Sequence, residues 1–254
     1  MAFPNTLFLD YGQEKRVSTL KAHPLGTRGV TPDGRVFYYA LANGAIRAGV
    51  LCERHAALAT GYSFDVAVGS AAASAAQSIY LVSLSTTAIT KDQFADGYLG
   101  INDGPSEGHS YKILSHLANA LGSTVRVNLY PNDKVQEALS TSSLVSLAYS
   151  DYFDVNESSA ASANGRTDVI VGVAPVEVAD NQYFWCQTWG HAHVLVTGVA
   201  VIGHFMGLAT IDGAAGPETV GAVSSALLEQ TLGIWANPIA TATDYGKCVL
   251  AIRP

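Results

Sequence analysis

The stretch "GTRGVTPDGRVFYYA" (residues 26–40) decides the fold class, because it holds the clearest hairpin signal in the chain. Pro32 presets the backbone for the first turn position, and Gly34 accepts the positive φ that such turns need. The segment that follows is rich in Val, Phe and Tyr, which favour strands. We therefore predict two antiparallel strands joined by a turn at 31–35.

Short apolar segments between turn residues continue along the rest of the chain. "STVRVNLY" (123–130) and "KCVLAIRP" (247–254) alternate apolar and polar residues, which is the period of a half-buried strand. Many short strands with Gly-rich turns indicate a sandwich or barrel. The predicted fold is all-β, an antiparallel sandwich or barrel-like arrangement with short helical turns and an extended N-terminal arm.

Helix candidates are few. Residues 70–79 are Ala-rich, residues 115–123 are short, and residues 225–236 have room for a turn or two of helix. The first two fit a loop or a linker between strands equally well.

The domain organisation is predicted from length and local composition. A chain of 254 residues forms one large all-β domain or two small ones. We predict an N-terminal arm over residues 1–16 and a β-rich body over residues 17–254. The small, polar stretch 156–167 is a candidate surface loop or boundary between two β subdomains.

Composition excludes several classes of partner. Charged residues make up only 14% of the chain, the formal net charge is -7, and there is no run of Lys or Arg. Nucleic acid and anionic membrane surfaces are therefore not expected partners. The three cysteines include no CxxC pair, which argues against a disulfide framework or zinc knuckle and favours reduced thiols in a cytoplasm. Neither a secretory signal nor a membrane span is expected.

The densest chemistry lies in "NQYFWCQTWGHAHVLVTG" (181–198). His191 and His193 are two residues apart, so on a strand both imidazoles face the same side and can reach one metal ion. Zinc needs three or four ligands, and no HExxH motif, Cys pair or carboxylate-rich loop accompanies the two histidines. We expect no metal, and histidines that face solvent or a subunit contact.

Signals for catalysis are missing. The chain has no G-x-S-x-G elbow, phosphate loop or dinucleotide fingerprint. Asp96, Asp103 and Glu107 are candidate calcium ligands or a glycosidase pair, but Asp and Gly together more often form turns. Cys186 lies inside an apparent strand and is expected to be a buried, inert thiol. We predict a protein that is not an enzyme and has no cofactor.

Aromatic side chains suggest a contact surface. Tyr183, Trp185 and Trp189 share one face of a strand if no bulge intervenes, and Phe184 and Cys186 take the other face. A strand that is apolar on both faces is either central in a sandwich or covered by another subunit.

Three blocks resemble a group of tailed-bacteriophage virion proteins that are encoded beside the major capsid protein. The blocks are "PLGTRGVTPDGRVFYYALANGAIRAGVL" (24–51), "DQFADGYLGINDGPSEGHSYKILSH" (92–116) and "VGVAPVEVADNQYFWCQTWGHAHVLVTG" (171–198), in preserved order. His191, His193 and the insert-like stretch 156–167 depart from the pattern. The resemblance implies a head decoration (cement) protein, which lies on the outer capsid surface and stabilises it by bridging capsomers.

The resemblance also implies the partners and the location. The expected partner is the major capsid protein, the expected oligomer is a homotrimer, and the protein is made in the host cytoplasm before it joins the virion. The alternatives are a tail-fibre or baseplate adhesin that stacks host glycans on Trp185 and Trp189, a glycan hydrolase, and a shell subunit of another assembly. The expected contact residues are Phe3, Leu7, Phe8, Leu9, Phe37, Tyr39, Tyr183, Trp185 and Trp189. The first four belong to the predicted arm, whose alternative is a first strand of the body.

Overall fold

The computed structural model describes residues 6–54, 61–82, 88–119, 124–159, 169–209, 211–217, 230–238 and 244–254. In this part of the chain there are seventeen strands and one short 3-10 turn, Gln13–Lys15. The strands are β1 Thr6–Phe8, β2 Arg28–Val30, β3 Val36–Leu41, β4 Leu51–Glu53, β5 Val66–Ser70, β6 Ser78–Leu81, β7 Tyr98–Asp103, β8 Ser110–His116, β9 Val125–Leu129, β10 Leu144–Ala148, β11 Asn156–Glu157, β12 Ile170–Val173, β13 Tyr183–Val196, β14 Phe205–Leu208, β15 Ala215–Pro217, β16 Gly233–Trp235 and β17 Asp244–Ala251. The all-β prediction is confirmed.

The chain divides into two compact units. Unit 1 combines Met1–Ala56 with Asp151–Pro254, and unit 2 is the single segment Ala57–Ser150. Unit 2 is therefore inserted into unit 1 in sequence. None of the helices in the described ranges has the length and apolarity needed to cross a membrane.

Unit 2 is a closed six-stranded barrel. Its strands pair in the order β10-β5-β6-β9-β8-β7, and β7 pairs with β10 to close the ring. The alternation predicted for β9 is present, since Val125, Val127 and Leu129 are buried and Arg126 is exposed. Closure leaves no barrel strand at an open edge, which is the usual way for such sheets to avoid unwanted pairing.

Unit 1 is organised around β13, a strand of 14 residues. Its first half pairs with β3, from Tyr183 opposite Leu41 to Trp189 opposite Val36, and its second half pairs with β17. The register shifts between Gln187 and Trp189, and Gly190 has a φ of 87°. This bulge bends the strand where its partner changes. The side chain of buried Gln187 spans the bend by donating to the carbonyls of Trp189 and His191, at 3.2 and 2.7 Å.

The bend divides unit 1 into two hydrophobic cores. Phe37, Phe184 and Trp185 belong to the core beside the first half of β13. Val194, Trp235 and Leu250 belong to the second core, around which β13, β15, β14, β16 and β17 pair in a ring. One strand thus contributes to both cores, and its even-numbered residues Ala192, Val194 and Val196 face the interior of the ring.

The hairpin predicted at 31–35 is confirmed. β2 and β3 are antiparallel with Val30 opposite Val36, and the Thr31 amide donates to the Arg35 carbonyl at 3.1 Å. Gly34 has a φ of 80°, the left-handed value that glycine adopts without steric cost.

The helix candidates are not helices where they are described. Residues 70–79 run from the end of β5 through a loop into β6, and residues 115–119 continue β8 into a bridge. In the third candidate the described residues 230–236 include β16. Ala-rich composition alone did not outweigh the flanking Val, Ile and Tyr, whose pairing in the barrel sets the local structure.

The predicted arm is part of unit 1 over its described residues 6–16. β1 pairs in parallel with β2, and Leu9 is 6% exposed in the first core. Gly29 makes this docking close, because a Cβ added there would lie 2.7 Å from Leu9 Cδ1 and 2.9 Å from Trp185 Cζ3. The alternative of a first strand therefore describes Thr6–Phe8 better than a free arm.

The boundary between the units also differs from the one predicted at 156–167. The chain enters unit 2 after Ala56 and leaves it after Ser150. Residues 156–159 include β11, which pairs with β4 inside unit 1, and residues 160–168 lie outside the described ranges. A polar, Gly-containing composition is typical of any surface loop and does not by itself distinguish a loop from a boundary.

Candidate functional site

The first half of β13 lines an aromatic cavity of about 320 Å³ in unit 1. Tyr39 and Tyr183 stack with ring centroids 5.6 Å apart, and Trp185 meets Tyr39 edge-on at 5.1 Å. His23 lies 5.7 Å from the Trp185 ring. Gln13 and Arg16 from the N-terminal segment complete the polar part of the lining. We call this the aromatic cavity.

The rings of the aromatic cavity are held mainly as core. Tyr39 is 4% and Trp185 5% exposed. The Tyr39 hydroxyl accepts a hydrogen bond from the Ala22 amide at 3.1 Å, and burial raises the pKa of Tyr39 above its usual value. These rings therefore stabilise the docking of the N-terminal segment and offer little free surface.

The predicted contact residues divide by exposure. Four of them are buried in unit 1, so their side chains belong to the core and not to the contact surface we expected. These are Leu9, Phe37, Tyr39 and Trp185. Leu7 and Tyr183 are half-buried, whereas Phe8 is 88% and Trp189 39% exposed. Phe3 lies outside the described residues. The bulge after Gln187 breaks the shared face predicted for Trp185 and Trp189.

The second half of β13 lines a second cavity in unit 1, of about 450 Å³, which we call the histidine cavity. His191 and His193 are both exposed, as their spacing on a strand predicts. Tyr245 and Lys247 of β17 lie beside them, with His193 directly opposite Lys247. Lys15 and Arg35 from two other elements also line the cavity.

The histidine cavity is poorly suited to a metal cation. The described part of the chain contains no group of three or more His, Cys, Asp or Glu side chains placed to hold a metal ion. Lys15, Arg35 and Lys247 share the cavity with the two imidazoles, and their charges repel a cation.

Sequence reasoning missed Lys15, Arg35, Tyr245 and Lys247, which stand far apart in the chain. A partial signal existed in β17, where Gly246, Cys248 and Leu250 are buried and the residues between them face outward. That alternation places Tyr245 and Lys247 on one outer face, but only the pairing with β13 shows which other side chains lie beside them.

The carboxylates considered for calcium or glycoside hydrolysis belong to unit 2. Asp96 is 2% exposed and accepts a hydrogen bond from the Tyr130 hydroxyl at 2.8 Å. Burial, together with this contact, raises the pKa of Tyr130. Asp103 ends β7 and accepts from the Gly104 amide at 2.8 Å, which is turn chemistry, and Glu107 lies in the following turn.

The described cysteines are buried thiols. Cys52, Cys186 and Cys248 are free and fully buried in unit 1. Burial raises the pKa of Cys186 well above its usual value and that of Cys248 to about 12. The thiolate is the reactive form, so these pKa values disfavour nucleophilic chemistry at neutral pH.

A row of apolar side chains, half-buried at Val249 and exposed at the other positions, crosses the outer face of the ring in unit 1. The strand registers align Val249 of β17 with Ile234 of β16, and Ile234 with Phe205 of β14. Phe205 is 56% and Ile234 40% exposed, and Ile202 in the preceding turn is 59% exposed. We call Val249, Ile234, Phe205 and Ile202 the apolar row.

Comparisons with protein-family models, with curated proteins and with solved structures find no match to this chain.

Proposed function

We propose that this protein is a structural virion protein that decorates the outer surface of a tailed-phage capsid and stabilises it by bridging capsomers. The three sequence blocks at 24–51, 92–116 and 171–198 support the class of assembly by their resemblance. The observation that carries the proposal is the apolar row, with Phe205 56% and Ile202 59% exposed. Contiguous exposed apolar side chains mark surfaces that another protein covers.

The position of the row suits docking on a large partner. Three of its side chains, those of Val249, Ile234 and Phe205, stand on paired strands of a closed ring, so they are held rigidly before binding. Ordered side chains lose less conformational entropy on association than side chains of mobile loops. A rigid apolar surface of this kind fits the repeated, identical sites that a capsid lattice presents.

The action of such a protein is mechanical rather than chemical. Packaged DNA pushes the shell outward, and a protein that contacts neighbouring capsomers adds buried area that must be separated before the shell ruptures. A standard contact buries about 1,200–2,000 Å² in total. Repetition over a closed lattice multiplies modest affinities. A net charge of -7 suits the outside of a shell, away from DNA.

Phe8 offers a second candidate contact. It ends β1 and is 88% exposed, although Leu9 beside it is buried in the first core. Removing residues 1–16 would therefore take away a core side chain as well as a surface one. A Phe8→Ser variant tests the contact without disturbing the core.

The adhesin alternative needs two tryptophans on which host glycans stack, and one of the two is buried. Stacking on a sugar needs an accessible ring face, and Trp185 is 5% exposed. Trp189 is the remaining ring of that pair, at 39% exposure. Binding of the isolated protein to a glycan array would support the adhesin, whereas stoichiometric labelling of heads in immuno-electron microscopy would exclude it.

The test is co-sedimentation with expanded heads that lack the protein. We expect the unchanged protein to bind the heads saturably, and Phe205→Ser to weaken binding by about tenfold or more, as loss of a central apolar anchor does. Phe64→Ser is the matched control, because Phe64 is 74% exposed on unit 2. Circular dichroism checks that both variants fold.

Two results would contradict the proposal. The first is that the unchanged protein does not bind the heads. The second is that Phe205→Ser binds as well as Phe64→Ser, which would remove the apolar row from the contact. Sedimentation of the variants in the absence of heads tests self-association. If Phe205→Ser converts an oligomer to a monomer, the apolar row belongs to a contact between copies of this chain.

A further inference from the structure

The histidine cavity concentrates positive charge on an acidic protein. The chain holds 14 Lys and Arg residues against 21 Asp and Glu residues. Lys15, Arg35 and Lys247 all line this one cavity, and its described lining includes no carboxylate. Cations from three separate segments of the chain, converging on one concave surface, indicate a site for an anion.

The three cations differ in how they are held. Arg35 donates to Asp33 at 2.8 Å and lies 3.4 Å from Glu14, so its guanidinium is fixed and its charge is largely compensated. Lys15 and Lys247 form no ion pair within the described part of the chain. The surplus charge of the cavity therefore comes from the two lysines, and Arg35 supplies a rigid wall.

Further hydrogen-bonding side chains stand beside the lysines. His191 and His193 project from the same side of β13, and each imidazole carries at least one N–H. The Tyr245 hydroxyl donates to the Ala48 carbonyl at 3.1 Å, which fixes its ring at the cavity wall. Hydrogen bonds from charged and neutral donors to one oxyanion are stronger than hydrogen bonds between neutral groups.

The size and the remaining lining indicate that the ligand is more than a bare oxyanion. A volume of about 450 Å³ is in the range of small-molecule sites, and a single water occupies only about 30 Å³. Ala48, Val173 and Pro175 give part of the wall an apolar character. An inorganic ion would leave most of this space and these apolar side chains unused.

We propose that the histidine cavity binds a small organic anion, a ligand of monosaccharide size that carries a carboxylate or phosphate group. Lys15 and Lys247 bind the anionic group, His191 and His193 donate hydrogen bonds to it, and the apolar wall contacts the uncharged body. The inference goes beyond the capsid proposal and stands without it, because the capsid test varies Phe205, which does not line this cavity.

The experiment is titration calorimetry of the full chain with four probes: glucuronate, glucose 6-phosphate, inorganic phosphate and glucose. We expect at least one of the two charged sugars to bind, with an affinity that falls as salt is raised. We expect much weaker binding of inorganic phosphate and no binding of glucose. The arms with glucuronate and glucose 6-phosphate distinguish a carboxylate ligand from a phosphate ligand.

Variants connect the binding to the cavity. Lys15→Gln and Lys247→Gln each remove one charge and are expected to weaken the charged sugar by about tenfold, the loss of one charge-assisted hydrogen bond. Lys134→Gln on unit 2 is the matched control, because Lys134 is exposed and does not line the cavity. Tryptophan fluorescence checks the fold of unit 1 in each variant.

Three results would overturn the proposal. One is that neither charged sugar binds. Another is that inorganic phosphate binds as tightly as the charged sugars, which would leave the organic body without a role. The last is that Lys15→Gln and Lys247→Gln bind the charged sugar as well as Lys134→Gln does.

Discussion

Both units are built from β-strands, but the strands are arranged differently in each. Unit 2 is one continuous segment closed into a barrel around a single core. Unit 1 joins two segments, has two cores, and carries the apolar row and both cavities. The six strands of unit 2 pair in a closed ring, whereas β13 of unit 1 pairs with β3 along its first half and with β17 along its second, and exposes His191 and His193 at the histidine cavity.

One pair of polar side chains in each unit illustrates a second contrast. In unit 2, Asp96 and His116 are 2% and 1% exposed and their hydrogen bonds are internal. In unit 1, His191 and His193 are exposed at a cavity. Buried, satisfied polar groups specify a fold, and exposed groups that converge on a cavity recognise a ligand. We therefore propose the anion site at the histidine cavity of unit 1 and not at Asp96 and His116 of unit 2.

The largest expected effect comes from removing one large aromatic side chain from the core of each unit. Phe184 and Phe94 are both fully buried, the first in unit 1 and the second in unit 2. Replacing either by Ala is expected to lower the free energy of unfolding of its own unit by about 3–5 kcal/mol. All three tryptophans belong to unit 1, so urea unfolding followed by tryptophan fluorescence reports that unit alone. Hydrogen exchange of peptides from residues 57–150 reports unit 2.

The two variants are each other's control. Phe184→Ala is expected to shift the fluorescence transition and leave exchange in unit 2 unchanged, and Phe94→Ala is expected to do the reverse. If either substitution shifts both readouts equally, the units unfold as one cooperative body and the comparison between them does not extend to stability.

A smaller expected effect is the pH dependence of the stability of unit 2, which arises from its buried His116. In unit 2, His116 Nε2 accepts a hydrogen bond from the Phe94 amide at 2.9 Å, and Nδ1 donates to the Leu117 carbonyl at 3.0 Å. Burial lowers the pKa of His116, although Asp92 and the Leu117 carbonyl favour its charged form. Because the unfolded state then binds protons more readily, the free energy of unfolding of unit 2 falls as pH drops below about 6.5.

Hydrogen exchange of unit 2 between pH 7 and pH 5, corrected for the intrinsic pH dependence of exchange, measures this loss. His116→Gln keeps an acceptor for the Phe94 amide but does not titrate, so in this variant the loss of stability should be smaller. An equal loss in both proteins would mean that other groups carry the pH dependence.

Local signals sufficed for much of the fold. The turn at 31–35 and the alternation of Val125, Val127 and Leu129 depend on neighbours in sequence, and both are present in the structure. The insertion of unit 2 between Ala56 and Asp151 depends on which strands pair over long separations. Turn residues and alternation carry no information about such pairing, so from the sequence the polar stretch 156–167 is a candidate for either a surface loop or a boundary.

The candidate site was predictable only in part. The i, i+2 spacing placed His191 and His193 on one face, as the structure has them. Their neighbour Lys247 is opposite His193 only because β17 pairs with the second half of β13. The burial of Trp185 depends on the docking of Leu9 over Gly29, a contact between side chains that are remote in sequence. Residue type alone therefore could not separate core aromatics from surface ones.

The smallest expected effect compares two tryptophans of one strand. Trp185 and Trp189 are four residues apart on β13, yet the bulge leaves the first 5% and the second 39% exposed. Trp189→Phe is expected to change the free energy of unfolding of unit 1 by less than about 0.5 kcal/mol, as surface substitutions usually do.

Trp235 is 1% exposed, so Trp189 should account for most of the fluorescence that acrylamide quenches in the native protein. Trp189→Phe should therefore remove the accessible fraction and Trp185→Phe should retain it. Retention of that fraction in Trp189→Phe would mean that Trp185 or Trp235 is open to solvent, and the distinction between the covered and the exposed tryptophan of β13 would be lost.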